Sequence, residues 1–157
     1  MSIRRSTPLM AALALAALTG AFGAQAADPT GRHPAYLHAL SDLRLAHWNL
    51  THRGGDAAVS EQERIAVAET ERAIDEATHA AELDAKPVGA KNVHEDAKFD
   101  SAGALHHAED LLSTARHDVA EPEDNLRARE FQGRIVEHID RALEATRRAI
   151  RDVEQHR

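Results

Sequence analysis

The sequence predicts an all-α protein, a four-helix bundle made of two αα-hairpins that follows a cleaved signal peptide. Three observations indicate this fold. Aromatic residues make up only 3% of the 157-residue chain, apolar residues recur at helical spacing in four segments, and cysteine is absent. Few aromatic residues together with abundant Ala, Leu, Glu and Arg favour helices over sheets. Because no disulfide can form, the packing of the helices must stabilise the fold.

Residues 1–26 are typical of a secretory signal peptide. Arg4 and Arg5 give a basic start, an apolar stretch follows, and an A-x-A cleavage motif ends at Ala26. The apolar stretch is too short and too rich in Ala and Gly for a convincing membrane span. We therefore expect residues 27–157 to form a periplasmic mature domain without a membrane span.

The first predicted hairpin consists of helices over residues 34–50 and 60–83. Gly54-Gly55 follows the first helix as a stop signal. The second helix opens with a capping box, in which Ser60 and Glu63 satisfy each other's backbone N–H groups. At about 100° per residue, one face of each helix is apolar. The predicted inward residues of this hairpin are Tyr36, Leu40, Leu43, His47, Leu50, Val67, Thr70, Ile74, Ala77 and Ala81.

The second predicted hairpin consists of helices over residues 102–119 and 123–155. A linker over residues 84–101, marked by Pro87, separates it from the first hairpin. Pro122 breaks the third helix and suits the first turn of the fourth. The predicted inward residues of this hairpin are Leu105, Ala108, Leu111, Leu112, Ala115, Val119, Phe131, Ile135, Ile139, Ala142, Ala149, Ile150 and Val153.

Two short matches indicate an internal duplication. The segment LHALSDL at residues 37–43 is similar to LHHAEDL at residues 105–111, and AIDEA at residues 73–77 is similar to HIDRA at residues 138–142. Each hairpin carries an apolar stripe that it cannot bury alone, so packing one hairpin on the other gives a four-helix bundle. The alternatives are a dimer of hairpins and an extended helical array.

Charge and motifs exclude several classes of function. The formal net charge of −7 and the lack of a basic stretch argue against nucleic acid or an anionic membrane as partner. A di-iron carboxylate site requires two Glu-x-x-His motifs, but only Glu76-Ala-Thr-His79 fits. A c-type haem requires Cys-x-x-Cys-His, which a chain without cysteine cannot provide. We therefore expect a protein without catalytic activity.

Histidine is the unusual feature of the composition, with 11 residues. Several lie on polar helix faces, where a histidine and an aspartate four residues apart can hold one metal ion. Imidazole with carboxylate suits Cu, Ni or Zn ions, whereas a tight structural zinc site needs about four converging ligands. The alternative is that these are ordinary surface ion pairs. The predicted metal ligands form three groups, His38 with Asp42, Asp75 with His79, and His106 with Asp110 and His117.

Two histidines lie among apolar residues instead. His47 lies in the middle of the apolar face of the first helix, and His138 lies at the edge of the apolar face of the fourth. An inward histidine is usually a hydrogen-bonded residue of the core. Because burial disfavours the charged imidazole, such a residue is also a candidate pH sensor.

Two resemblances add an expectation about function. The segments HPAYLHALSDLR, at residues 33–44, and EPEDNLRAREFQGRIVEHIDRALEAT, at residues 121–146, resemble a group of exported bacterial helical proteins of unassigned function. The histidines that recur on the helices are similar to those of small His-rich periplasmic proteins, which are helical bundles that bind divalent metals. The second resemblance implies metal binding at the histidines on the helices.

The sequence therefore favours a non-catalytic periplasmic protein that binds or buffers divalent metal ions with low affinity. Two alternatives stay open. One is a structural or interaction module of the cell envelope with no metal role, whose partner is another envelope protein. The other is a pH-responsive helper that uses His47 and His138.

Overall fold

The computed structural model describes residues 34–54, 59–83, 99–121 and 126–155, and these residues form four α-helices and no strand. The all-α prediction is confirmed. The bounds of the first three helices differ from the predicted ones by one residue at most. The helices are α1 (Pro34–Thr51), α2 (Glu61–Leu83), α3 (Ser101–Ala120) and α4 (Leu126–Gln155).

Several predicted features lie outside the described residues. These are the signal peptide over residues 1–26, the start of the mature domain, most of the predicted linker over residues 84–101, and the turn that contains Pro122. The last residue of that linker is corrected, because Ser101 is the first residue of α3.

Local hydrogen bonds explain where α2 and α3 begin. At α2, the Ser60 backbone N–H donates to Glu63 Oε2 at 2.8 Å, and the Glu63 N–H donates to Ser60 Oγ at 3.2 Å. The predicted capping box is therefore confirmed. At α3, the Asp100 carboxylate accepts a hydrogen bond from the Gly103 N–H at 2.8 Å. This N-cap satisfies an otherwise unpaired donor, and it explains why α3 begins within the predicted linker.

The four helices pack around a square. Helix α1 packs against α2 and α3, and α4 packs against the same two helices. Among the described residues, no Cα atoms of the diagonal pairs α1/α4 and α2/α3 lie within 8 Å of each other. At one end, Arg53 after α1 lies 3.0 Å from Glu63 of α2 and donates a 2.6 Å hydrogen bond to Ser101 of α3. Gly54 fits close to the Phe99 carbonyl there, since a Cβ on Gly54 would lie 3.1 Å from that oxygen.

Neighbouring helices are antiparallel, which makes the two diagonal helices α2 and α3 parallel. The end of α2 at Leu83 and the start of α3 at Ser101 therefore lie at opposite ends of the bundle. The two hairpins pack on each other within a single chain. This result favours the predicted bundle over an extended array.

Small and medium side chains fill the core. The fully buried large apolar side chains come from α1, α3 and α4, while the apolar residues that α2 buries are alanines. Alanine allows the helix axes to approach closely, so the larger predicted residues of α2 lie beside the core rather than within it. Burial of Leu111 is a wrong prediction for a different reason, because Ala108, Leu112 and Ala115 occupy the inner face of α3 and Leu111 lies beside that face. The predicted inward apolar residues that are only partly buried are Val67, Ile74, Leu111, Phe131 and Val153.

Burial repeats between the two hairpins. His138 follows Glu69 at a separation of 69 residues, and at that same separation most buried positions of the first hairpin have a buried equivalent in the second. The exceptions are Leu40, Asn49, Glu63 and Glu69, whose equivalents Glu109, Asp118, Gln132 and His138 are only partly buried. The two sequence matches have smaller separations than this register. The separation is one residue smaller for the match between α1 and α3, and four residues smaller for the match between α2 and α4. The matches align surface residues of the same type but place exposed Leu37 opposite buried Leu105. The buried pairs are Tyr36/Leu105, Ala39/Ala108, Leu43/Leu112, Ala46/Ala115, Leu50/Val119, Ala66/Ile135, Thr70/Ile139, Ala73/Ala142, Ala77/Thr146, Ala80/Ala149 and Ala81/Ile150.

Two sets of side-chain contacts follow the same register. His47 of α1 pairs with Glu71 of α2, and the equivalent residues Arg116 of α3 and Asp140 of α4 also pair, each across 24 residues of sequence. Glu69 and His138 are equivalent to each other and are in contact. The contacts therefore define an approximate twofold axis that passes between α2 and α4 at the Glu69/His138 pair.

Candidate functional site

The predicted pair His38 and Asp42 lies on α1 beside α3. His38 is exposed and Asp42 is half-buried. Burial raises the pKa of Asp42, the negative charge of Asp118 on α3 raises this pKa further, and His38 opposes the shift. Asp118 was not among the predicted ligands, because only the packing of α1 against α3 brings it near Asp42.

The second predicted pair, Asp75 and His79, lies exposed on α2. The ring of His79 is 6.4 Å from the ring of Phe131 on α4. Glu76 of α2 accepts a 3.0 Å hydrogen bond from Arg134, which lies on α4 like Phe131. Both members of the single Glu-x-x-His motif are therefore engaged by α4.

The third predicted group lies along the exposed face of α3. His106 and His117 are separated by three turns, about 16 Å along the helix axis, so one ion cannot bind both. His106 with Asp110 and His117 must therefore be considered as two separate candidate positions. The carboxylates of other residues lie near His106, with its Nε2 3.4 Å from Glu154 Oε1 of α4 and its Nδ1 4.0 Å from Glu109 Oε2.

In the part of the chain that the structure describes, no three side chains of His, Asp or Glu converge on one point suitable for a metal ion. A closed structural site of the zinc type, with about four protein ligands, is therefore not formed by these residues. The candidate metal ligands on the described surface lie in pairs of one histidine and one aspartate. Each pair leaves most of an ion's coordination to water.

The two inward histidines both contact glutamates. His47 is half-buried, as expected, but its Nε2 lies 3.0 Å from Glu71 Oε1 at the edge between α1 and α2. His138 Nδ1 lies 2.7 Å from Glu69 Oε2, with 18% and 9% of the two side chains exposed. Each histidine thus joins two helices.

An open groove lies on the outer surface between α2 and α4, with a volume of about 590 Å³. We call it the α2–α4 groove. Ile65 is 38% exposed there, and a Cβ added to Gly133 would meet no atom within 4 Å. The sequence did not predict the groove, because it depends on how two helices pack. The lining residues are Gln62, Ile65, Glu69, Gly133, Val136, Glu137, Asp140, Arg141, Glu144, Ala145 and Arg148.

No described helix combines the length and the apolar character needed to cross a membrane. No protein-family model matches the chain, and neither a curated protein nor a solved structure is similar to it.

Proposed function

We propose that the protein is a non-catalytic periplasmic helical protein that binds divalent metal ions weakly, with the pair His38 and Asp42 as its main site and the charge of Asp118 nearby. One observation carries the proposal. Asp42 is half-buried between a histidine one turn away and an aspartate of the neighbouring helix, and burial together with the charge of Asp118 raises its pKa. Export rests on the signal peptide predicted over residues 1–26.

A divalent cation would relieve the unfavourable electrostatics of this site. Two carboxylates act against each other there, and a cation near both would favour their ionised forms. The imidazole of His38 adds a donor that suits Cu(II), Ni(II) and Zn(II). Because no closed set of protein ligands is formed by the described residues, water completes the coordination, and we expect dissociation constants in the micromolar range or weaker.

The other predicted pairs serve as secondary sites of lower affinity. Asp75 with His79 retains the spacing for one ion, and so does His106 with Asp110. His106 has further carboxylates nearby on α3 and α4, at Glu109 and Glu154. Capacity for more than one weakly bound ion would suit a buffering role.

Localising a paramagnetic ion tests the proposed site. Cu(II) added in small amounts to the ¹⁵N-labelled mature protein should broaden the amide signals of residues 38–42 first, with those near Asp118. The Asp42→Asn variant should lose this local effect, whereas His79→Gln should keep it. Broadening centred on His79 or His117, or spread evenly over the helices, would remove His38 and Asp42 as the main site.

The α2–α4 groove supports a second candidate function, an interaction module of the envelope. Its apolar floor is exposed around Ile65 and Gly133, which is the kind of surface that a partner polypeptide covers. This function and metal binding use different faces of the bundle, so one does not exclude the other.

A further inference from the structure

The edge between α1 and α2 carries a histidine–carboxylate pair that was not among the predicted metal ligands. Nε2 of His47 on α1 lies 3.0 Å from Oε1 of Glu71 on α2. The sequence placed His47 on the inner face of α1, whereas the packing of α1 against α2 brings its ring nitrogen to a carboxylate of the neighbouring helix. A nitrogen donor and an oxygen donor from two different helices therefore meet at one point of the surface.

The separation of these two atoms matches that of two neighbouring ligands on one metal ion. Imidazole nitrogen and carboxylate oxygen bind such ions at about 2.0–2.2 Å. Two bonds of about 2.1 Å at a right angle place the donor atoms about 3.0 Å apart. Right angles between ligands are typical of the tetragonal sites of Cu(II) and Ni(II). The ion takes the place of the proton on Nε2 of His47, and the neutral ring then carries its proton on Nδ1.

Solvent reaches this pair, as an ion with only two protein ligands requires. The side chains of His47 and Glu71 are 31% and 60% exposed, and Glu71 lies on the wall of an open pocket of about 410 Å³. Water can complete the coordination there. The pair of Glu69 and His138 provides the contrast, because its side chains are only 9% and 18% exposed and burial keeps water away from them.

The charges beside the pair favour a cation. Asp75 is exposed on α2 and follows Glu71 by one helical turn, so a second carboxylate lies on the same face. Arg53 and Arg64 also line the pocket, but each is paired with a glutamate of α2. Their positive charges are therefore balanced before an ion arrives.

The equivalent pair of the second hairpin shows which group the metal chemistry depends on. Arg116 and Asp140 hold the positions of His47 and Glu71 in the register of 69 residues, and they are also in contact. A guanidinium group has no acceptor site and stays protonated, so it cannot bind a metal ion. Both pairs join two neighbouring helices, but only the pair with an imidazole has two metal ligands.

We propose that His47 and Glu71 form a second divalent-metal site, which binds Cu(II) or Ni(II) and links α1 to α2. The proposal rests on the proposed metal-binding function and adds a site to it. Because the ion must displace the hydrogen bond between the two residues, we expect weaker binding here than at His38 and Asp42. An ion in this site has one protein ligand on each of two helices, whereas the ligands of each predicted pair lie on a single helix.

Cu(II) titration of the ¹⁵N-labelled mature protein tests this site. The Asp42→Asn variant is used together with the parent, because this change weakens the main proposed site. In the parent, the amide signals of residues 38–42 should broaden first and those around residues 47 and 71 at higher Cu(II). In Asp42→Asn, the signals around residues 47 and 71 should broaden in a saturable way before those of residues 38–42.

Two further variants, made in the Asp42→Asn protein, separate metal binding from the ion pair. His47→Arg reproduces the chemistry of the Arg116 and Asp140 pair, so it should retain the contact with Glu71 but abolish the broadening. Glu71→Gln retains a hydrogen-bond acceptor but loses the anionic ligand. It should weaken Cu(II) binding about tenfold or more, since loss of even an outer partner of a metal ligand costs this much. Glu82→Gln controls for the loss of one negative charge, because Glu82 is exposed on α2 three turns away, and it should bind like its parent.

The outcomes distinguish this inference from the proposed function. Broadening of residues 38–42 in the parent, with none around residues 47 and 71 in either protein, would overturn the second site and leave the main site intact. Absence of broadening at both places would remove metal binding altogether. Equal binding before and after Glu71→Gln would show that His47 acts alone, and broadening that persists in His47→Arg would show that other groups hold the ion. Either result would overturn the shared site.

Discussion

His138 Nδ1 lies 2.7 Å from Glu69 Oε2, and the two residues hold equivalent positions in the two hairpins, 69 residues apart. The pair joins α2 to α4 on the approximate twofold axis of the bundle. Glu69 also accepts a hydrogen bond from Arg72. A largely buried carboxylate is thus satisfied by two donors, one from its own helix and one from the helix of the other hairpin.

Loss of either partner should destabilise the bundle. We expect His138→Ala and Glu69→Ala each to lower the free energy of unfolding by about 1–3 kcal/mol, because a buried polar group loses its partner. The double variant should lose less than the sum of the two, which urea denaturation of the four proteins measures. The His47/Glu71 pair is the control, since its glutamate is 60% exposed and such pairs contribute about 1 kcal/mol or less. Additive effects at Glu69 and His138 would show that the two residues do not stabilise each other.

The buried pair of Arg53 and Glu63 should contribute more to the free energy of unfolding than the pair of Glu69 and His138 does. Their side chains are 7% and 2% exposed and lie 3.0 Å apart, and Glu63 also closes the capping box with Ser60. Glu63→Ala leaves the arginine without this partner, so we expect a loss of about 3–5 kcal/mol in chemical denaturation. Glu61→Ala, two residues earlier, should cost less than about 1 kcal/mol, because Glu61 is 65% exposed. Similar losses for the two variants would contradict the importance of this pair.

Core substitutions should distinguish buried from flanking residues. Leu40 is 2% exposed and Ile139 is fully buried, so replacement of either by alanine should cost about 2–5 kcal/mol. Leu111 only packs against the core from one side, and Leu111→Ala should cost less than either of them. Denaturation midpoints of the three variants provide the measurement. A larger loss at Leu111 than at Leu40 would mean that α3 presents another face to the core.

Asp42 should make stability depend on pH in a definite direction. Its folded-state pKa lies above the ordinary value of 3.8, so the folded protein binds this proton more tightly than the unfolded chain. Ionised Asp42 therefore reduces stability at neutral pH, and the reduction disappears as pH falls from the raised value through 3.8. Asp42→Asn should melt at a higher temperature than the parent at pH 7, and this difference should shrink in acid.

The causes of that shift can be separated. Asp118→Asn removes the repulsion from α3 but leaves the burial, which is the larger cause. We expect it to raise the melting temperature by less than Asp42→Asn does. Asp75 is exposed on α2, so Asp75→Asn controls for the loss of one negative charge from an acidic chain. A parent that is as stable as Asp42→Asn at pH 7 would contradict the prediction.

The parts of the fold that local sequence determines were predictable, and the parts that packing determines were not. Ser60 and Glu63 interact within one turn of helix, so their capping box was visible in the sequence. Asp118 meets Asp42 only because α3 packs beside α1, and no spacing within one helix predicts that proximity. Leu111 was assigned to the core because it is a leucine near the inner face, whereas Ala108, Leu112 and Ala115 occupy that face and leave Leu111 partly buried.

The candidate sites show the same division. Spacing on one helix identified His38 with Asp42 but also suggested one group for His106 and His117, which helix rise keeps apart. The α2–α4 groove has no signal in either helix, since its shape is produced by both. The repeat of buried positions is likewise visible in the burial of the residues and not in their identities.

Calorimetric titration of the mature protein with Cu(II), Ni(II) and Zn(II) at neutral pH tests the metal-binding proposal most directly. We expect saturable binding in the micromolar range or weaker, with copper tighter than nickel, and weaker binding below about pH 6, where protons compete for the ligands. Asp42→Asn or His38→Gln should weaken the strongest site, while His79→Gln should not. If no metal produces a heat of binding, or if a protein with His38, His106 and His117 all changed to Gln binds as well as the parent, metal binding is not the function, and the α2–α4 groove becomes the better account.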